Sequence, residues 1–443
     1  MAPVPRAMMI AGLVAGLGTR LVAQATQTSD LQLATFDAAW RIVWETHFDT
    51  TFNGVDWKAL RDEFRPRAVG APRDSVQRLI SAMLARLGQS HFSLIPAEVA
   101  DESTADRVRG NGTAGLEVRM VEGRVTVSKL EPGGAAEAAG IRTGWVVTAV
   151  DAHRIDSLLA RLQARPSRNP VALRAVINVN GWLGGRPDST LTLHFLDGTD
   201  QPVVRTIVRR ADPSLPVKWG HFPTFFARFA SREVKVNGSR VGVIWFNNWL
   251  VPLVRQVDSA VDAYRGHDGV ILDLRGNTGG VGAMVGGLAG HFTDRADTLG
   301  VSRTRTSTLY FVANPRRATS DGRRVAPFAG PVAILTDELS GSASEIFAGG
   351  LQSLHRVRVF GDTSLGGVLP AIWDRLPNGD VLYHAFGEFV TATGERLEGR
   401  GVLPDQPITV TRADLLAGRD PVLDAAVRWI VSRRGTKNPG GTR

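Results

Sequence analysis

A serine at the start of a predicted helix has the residue type and the local setting of a nucleophile. The apolar run 332–335 predicts a buried strand, the small residues 339–345 predict a tight turn, and apolar residues at helical spacing follow. This order presents the Ser342 hydroxyl at the positive end of a helix, where free backbone N–H groups can stabilise an oxyanion. The spacing of Ser342 and Glu345 also fits a capping box, in which the serine only satisfies the helix N-terminus.

A serine hydroxyl becomes a good nucleophile only when a neighbouring base accepts its proton. His91 is a candidate base, because it follows Ser90 just past a predicted helix that ends at Gly88. An imidazole with a pKa of about 6.5 suits this role at neutral pH. A histidine just past a helix end is also typical of a satisfied polar residue. Lysine is a poor alternative, since none occurs between Val236 and Thr436.

The composition predicts an ordinary globular protein of two or three domains. The chain has 443 residues, of which 43% are hydrophobic and 21% charged. Its formal charge of +9 invites a nucleic-acid partner, but the arginines are scattered and form no basic stripe. No nucleic-acid partner is therefore predicted. The absence of cysteine excludes disulfides, thiolate zinc sites and a cysteine nucleophile.

The first 25 residues are interpreted as a signal peptide. Arg6 supplies the positive end, residues 7–18 the apolar segment and Ala23-Gln24-Ala25 the cleavage site. The expected location is therefore periplasmic or secreted. No other stretch is long enough to span a bilayer, so no stable membrane span is expected after signal removal. Amphipathic patterns predict an N-terminal helical domain over 26–104.

Short alternating strands and Gly/Pro/Asp turns then predict a β-rich domain over 105–211. Its order of segments resembles a PDZ domain, with an insertion over 156–187. The stretch Gly115-Leu116-Glu117-Val118 matches the PDZ loop whose N–H groups receive a peptide C-terminus. The alternative is an unrelated β-module with a purely structural role.

Strands alternating with helices predict an αβ core over 212–432, with a mainly parallel sheet covered by helices. Its Gly-rich turn 275–280 follows the buried strand 269–274 and lacks the pattern of a nucleotide-binding loop. A backbone N–H site for an oxyanion is the better interpretation of this turn. The polar, Gly-rich tail 433–443 is predicted to be disordered.

Three stretches together, behind a PDZ-like domain, resemble the C-terminal processing (tail-specific) peptidases of family S41. They are Gly269–Gly280, Gly341–Phe347 and Glu398–Asp405. The resemblance implies a multidomain α/β fold with a ClpP/crotonase-like core. Many members use a Ser–Lys dyad, but Gly367 stands at the lysine position here. The chain is closer to the tricorn-core type, in which histidine is the base.

The resemblance to the tricorn core implies a role for each site residue. Ser342 is the nucleophile, His91 the general base, and Ser90 and Glu398 its supporting groups. Glu395, three residues from Glu398, remains open as the supporting acid. The resemblance also implies that the N–H groups of Gly279 and Ala343 are the oxyanion donors. In the PDZ-like domain, the implied carboxylate loop consists of Gly115, Leu116, Glu117 and Val118.

The sequence therefore predicts an exported serine endopeptidase that cleaves polypeptides and recognises substrate C-termini through its PDZ domain. No metal or cofactor is expected, and the oligomeric state is left open. The rival function is a catalytically silent protein that uses the same domains to hold peptides or other ligands. The presence of Ser342, His91 and Glu398 together favours the enzyme.

Overall fold

The computed structural model describes residues 29–165 and 167–434. The predicted signal peptide, and the part of the predicted tail beyond residue 434, lie outside the described residues. In the part of the chain that is described, no helix is both long and apolar enough to cross a bilayer.

The N-terminal region is helical, as predicted, and leads into a short strand. Its amphipathic helices bury Phe36, Trp57, Ile80 and Met83 in one core, against Leu382 from the C-terminal half. The short strand begins two residues after the predicted base, His91. The elements are α1 (29–46), a 3-10 turn at Phe52–Gly54, α2 (Trp57–Ala68), α3 (Arg73–Ala85), β1 (Ser93–Ile95), α4 (Ala97–Ala100) and α5 (Thr104–Gly110).

The second region is an antiparallel sheet with two longer helices. The elements are β2 (Gly112–Thr113), β3 (Leu116–Val121), β4 (Arg124–Leu130), α6 (Ala135–Ala138), β5 (Val146–Val150), β6 (His153–Arg154), α7 (Ile155–Gln163), α8 (Val171–Leu183), β7 (Thr190–Leu196), β8 (Pro202–Val208) and β9 (Arg210–Ala211). The strand order is β3-β4-β5-β7-β8, with β6 beside β5, so β3 lies at an edge. The region buries an apolar core of its own, with Val118, Val127 and Phe195 at its centre.

The remaining elements build the core and its covering hairpins. They are β10 (Leu215–Val217), β11 (Phe225–Ala227), β12 (Phe229–Val236), β13 (Ser239–Phe246), a 3-10 turn at Val251–Leu253, α9 (Val254–Ala263), β14 (Gly269–Asp273), α10 (Met284–Ala289), β15 (Asp297–Arg303), β16 (Thr308–Ala313), β17 (Val332–Thr336), α11 (Ala343–Ser353), β18 (Arg358–Gly361), β19 (Ala371–Arg375), β20 (Val381–Ala385), β21 (Glu388–Thr391), β22 (Gln406–Pro407), α12 (Arg412–Leu416) and α13 (Pro421–Arg434).

One six-stranded sheet organises this core, in the order β12-β13-β14-β17-β18-β22. From β13 to β22 the neighbours are parallel, and β12 pairs antiparallel with β13. One apolar cluster, including Phe347 of α11, covers one face, and a second cluster, including Ile430 of α13, covers the other. The predicted mainly parallel arrangement is therefore found in this sheet and not in the others of the described residues. Elsewhere in the described residues the pairings within sheets are antiparallel, so antiparallel pairs prevail in the protein as a whole.

The topology brings the two predicted functional turns to one place. The strands β14 and β17 are parallel neighbours, so the turns that follow them emerge at the same edge of the sheet. The first turn contains Gly279 and the second contains Ser342. The N-terminal region also attaches to the C-terminal half, because β1 pairs with β20.

Candidate active site

Ser342 lies at the junction of the turn after β17 and the helix α11, for which it is the N-cap. Its backbone has φ 53° and ψ −116°, a conformation that is costly for a residue with a side chain. Two hydrogen bonds hold it there: its N–H donates to the Gly367 carbonyl at 3.0 Å and to Glu345 Oε2 at 2.9 Å. The strand, turn and helix predicted around Ser342 are therefore confirmed, including the glutamate half of the capping box.

The two neighbouring serines have structural hydrogen bonds. Ser340 Oγ is fully buried and donates to the Leu274 carbonyl at 2.8 Å. Ser344 Oγ, also buried, donates to the Asn277 carbonyl at 3.1 Å and accepts from Trp249 Nε1 at 2.9 Å. Ser342 is only half-buried, which makes it the serine of this turn that a substrate can approach.

The Gly-rich turn after β14 lies directly against Ser342. A Cβ on Gly279, which has φ +99°, would come within 2.5 Å of the Ser342 Cβ, so only glycine fits there. The Gly279 N–H, expected to be an oxyanion donor, instead donates to Asn277 Oδ1 at 3.0 Å. Among the described residues, the N–H groups of Ala343 and Gly280 make no hydrogen bond. Within the part of the chain described, the Ala343 N–H is therefore free for the predicted role of oxyanion donor, and the Gly280 N–H, which the sequence did not single out, is also free.

Ser90, His91 and Glu398 form one hydrogen-bonded chain. Ser90 Oγ donates to Glu398 Oε2 at 2.7 Å and lies 2.7 Å from His91 Nδ1. Because the Ser90 proton is used on the carboxylate, Ser90 Oγ accepts from His91 Nδ1–H. This leaves His91 Nε2 as the unprotonated nitrogen, which is the form that a general base needs.

Glu398 is held by several hydrogen bonds, whereas Glu395 takes no part in the hydrogen-bonded series with Ser90 and His91. The Glu398 side chain is 9% exposed and also accepts from the N–H groups of Ser90 at 2.7 Å and Val368 at 3.0 Å. The carboxylate of Glu395 is 48% exposed and lies 3.4 Å from Arg400. Of the two glutamates, Glu398 is the one that is hydrogen-bonded to Ser90.

Gly367 lies between the predicted base and the predicted nucleophile. Its carbonyl accepts from Ser342 N–H, and a Cβ built on it would lie 3.4 Å from the Ser90 Cβ. No hydrogen bond joins His91 to Ser342 among the described residues. The segment at Gly367 therefore contacts both Ser342 and Ser90, the residue before His91.

Arg168 is a charged residue of this site that the sequence analysis missed. It comes from the segment between α7 and α8, inside the predicted insertion, and donates to the Gly366 carbonyl at 2.6 Å. Its guanidinium lies 3.4 Å from Glu398 Oε1. Burial, followed by the positive charge of Arg168, lowers the pKa of His91 to about 4. This environment therefore shifts the pKa of His91 below the ordinary imidazole value of about 6.5.

Glu345 is a fully buried carboxylate beneath the nucleophile. Besides Ser342 N–H, it accepts from Ser364 Oγ at 2.6 Å and from the N–H groups of Gly366 at 2.7 Å and Gly367 at 2.9 Å. Burial raises the pKa of Glu345 to about 7, while these hydrogen bonds act in the opposite direction. All four groups are donors, so the arrangement requires the ionised carboxylate.

The predicted carboxylate loop lies at the edge of a cavity of about 880 Å³, whose lining includes Gly115, Leu116 and Glu117. Gly276 and Thr278 of the Gly-rich turn line the same cavity. The cavity thus extends from the β-rich region to the turn beside Ser342. Among the described residues, no cluster of three or more metal-ligating side chains occurs.

Comparison with known proteins identifies two families along the chain. Residues 240–408 match the peptidase family S41 model, and residues 33–85 match the tricorn protease C1 domain. The chain is 27% identical over 420 residues to a protein of Streptomyces coelicolor named as a tricorn protease homolog, covering 91% of this chain and 32% of the relative. It is 23% identical over 398 residues to the carboxyl-terminal-processing protease of Synechocystis, covering 88% of this chain and 84% of the relative. The chain thus spans about a third of the first relative and most of the second.

Solved structures share the fold. The photosystem II D1 C-terminal processing protease superposes with a TM-score of 0.56 at 22% identity, covering 85% of this chain and 92% of that one. Mature CPAF superposes with a TM-score of 0.62 at 13% identity, covering 93% and 99%. Fold and matches together define a peptidase of multidomain α/β architecture. The chain thus contains a peptidase family S41 domain over residues 240–408, preceded by a tricorn C1 domain over residues 33–85.

Proposed function

We propose that this protein is a serine endopeptidase in which Ser342 is the nucleophile and His91 the general base. The observation that carries the proposal is the hydrogen-bonded series Glu398–Ser90–His91. Glu398 also accepts from the N–H of Val368, next to Gly367, whose carbonyl holds the Ser342 backbone. A Ser–Lys mechanism does not fit, because position 367 is glycine and no lysine occurs from 236 to 436.

The chemistry follows from the hydrogen bonds. His91 Nε2 takes the proton of Ser342 as its oxygen attacks a substrate carbonyl, and later returns it to the leaving amine. The imidazolium formed on His91 is stabilised through Ser90 by the Glu398 carboxylate. The N–H groups of Ala343 and Gly280 lie in the two turns that meet at Ser342, where they can stabilise the oxyanion. Closure of the gap between His91 and Ser342 accompanies substrate binding, because catalytic hydrogen bonds often tighten only then.

The β-rich region is proposed to act as a PDZ domain that receives polypeptide C-termini. Support comes from the position of the Gly115–Val118 loop on the edge strand β3 and on the cavity that reaches the Gly-rich turn. The names of the relatives agree with processing at C-termini. Export by residues 1–25 and the domain bounds 26–104, 105–211 and 212–432 belong to the same proposal.

A fluorophosphonate probe tests the nucleophile directly. We expect it to label Ser342 in the wild type and not in Ser342→Ala, which should also lose peptidase activity. Ser344→Ala is the matched control, because that hydroxyl is two residues away and has structural partners. Labelling at Ser340 or Ser344 would overturn the assignment of Ser342 as the nucleophile. An unlabelled protein that still binds peptides would support the rival function, a silent binding protein.

A further inference from the structure

The edge of the proposed peptide site is already occupied by a side chain of the protein. Asn180 of α8 accepts from the Val118 N–H through Oδ1 at 2.9 Å and donates from Nδ2 to the Val118 carbonyl at 3.1 Å. These two bonds are the pair that one residue of an added antiparallel strand would form. The Asn180 amide thus stands in for a peptide bond of an incoming chain.

The location of this contact is the place where a peptide would add. The strand β3 is at the edge of its sheet, so its outward N–H and C=O groups have no strand partner. The backbone N–H and C=O of Val118 point away from the sheet at this edge, because both of them bond to Asn180. The helix α8 lies within the predicted insertion, and Asn180 also lines the cavity of about 880 Å³ beside the loop.

A second contact links the same carbonyl, through two side chains, to the Gly-rich turn beside Ser342. Arg119 Nη1 donates to the Val118 carbonyl at 3.0 Å, and Arg119 Nε donates to Asp337 Oδ2 at 3.1 Å. Asp337 Oδ1 in turn accepts from Gly276 N–H of the Gly-rich turn at 2.8 Å. Val118 is therefore bonded both to the helix that covers the edge and to the segment beside Ser342.

We propose that Asn180 is a built-in competitor for the peptide site: the extended C-terminal segment of a polypeptide pairs with β3 by displacing the Asn180 amide from Val118. This inference rests on the proposed PDZ function of the region. It makes Asn180 the residue that limits affinity at this site, since each incoming peptide must replace two existing hydrogen bonds.

The test uses a flexible ten-residue peptide with a C-terminal valine, because the apolar residues Leu116 and Leu183 line the cavity. Calorimetry compares its free-carboxylate and amidated forms on the wild type and Asn180→Ala. Loss of the two competing bonds should tighten binding of the free-carboxylate form about tenfold. Asn178→Ala is the matched control, because Asn178 is an exposed asparagine of the same helix that donates to the Arg174 carbonyl at 2.7 Å. It should bind like the wild type.

The outcomes separate this inference from the proposal beneath it. If the wild type prefers the free carboxylate but Asn180→Ala binds equally or more weakly, Asn180 is a structural tether and the inference is overturned. If no variant distinguishes the two peptide forms, the PDZ function fails and the inference fails with it. Should Asn180→Ala not fold, hydrogen exchange of the wild type decides. With peptide bound, the Asn180 side-chain amide should exchange its hydrogens faster, while the Val118 N–H stays protected from exchange. An Asn180 amide that stays protected when peptide is bound would contradict displacement.

Discussion

At the scale of single residues, Ser342 and His91 share a feature that residue type did not reveal. Both have positive φ, 53° and 60°, although neither is glycine. Such conformations persist only where the surrounding structure imposes them, and they are frequent at functional sites. For Ser342 the constraint comes from Gly367 and Glu345. The sequence thus indicated which side chains could react, while their strain and acidity depend on neighbours that are distant in the chain.

Two titrating groups, the Glu345 carboxyl and the His91 imidazole, should give the activity a two-step dependence on pH. As pH falls, kcat/KM should drop near 7, when Glu345 gains a proton and can no longer accept four hydrogen bonds, and again near 4, when His91 is protonated. Glu345→Gln should remove the upper step and lower kcat at least about tenfold, because the amide nitrogen faces N–H donors. Rates measured from about pH 3 to 9 check both steps.

Arg168 provides the control for the lower step. Its positive charge lowers the pKa of His91, so Arg168→Gln should move that step to higher pH, whereas Arg165→Gln, an exposed neighbour, should not. A single step near 6.5 that neither variant moves would show that His91 has an unperturbed pKa, or that another group is the base.

At the scale of elements, the site depends on how the N-terminal helices attach to the core. The strand β1 pairs with β20, and the fully buried Asp380 accepts from Arg73 Nη2 at 2.6 Å and from Ala97 N–H at 3.0 Å. These contacts fix the region that carries Ser90 and His91. Helical periodicity predicted the helices, but no local pattern could predict their partners, because Ser90 and Glu398 are 308 positions apart.

Asp380→Asn should loosen this attachment. Removal of the buried charge from its hydrogen-bonded site should lower the free energy of unfolding by about 1.5–3 kcal/mol, because its donors lose a charged acceptor. Urea unfolding measures the change. Glu98→Gln is the control, because Glu98 pairs with the same Arg73 but is 64% exposed, and it should change stability by less than about 1 kcal/mol. Equal effects of the two substitutions would mean that Asp380 does not anchor the region.

At the scale of the whole molecule, three regions contribute to one site. The core supplies Ser342 and Glu398, the N-terminal region supplies Ser90 and His91, and the β-rich region supplies Arg168. The strand–turn–helix around Ser342 and the helical N-terminus could be predicted, because they depend on local spacing. The occupied Gly279 N–H, Arg168 and the Asn180 contact could not, because each depends on the packing of one region against another.

The most direct test of His91 as the general base is the effect of His91→Ala on peptide cleavage. If His91 is the base, kcat should fall on the order of a thousandfold or more, as when one member of a catalytic triad is removed. Ser90→Ala should cost less, because Ser90 orients His91 without exchanging the substrate's proton. His355→Ala, an exposed histidine outside the site, should leave kcat unchanged. A His91→Ala variant that stays folded and retains kcat within about tenfold of the wild type would contradict the account.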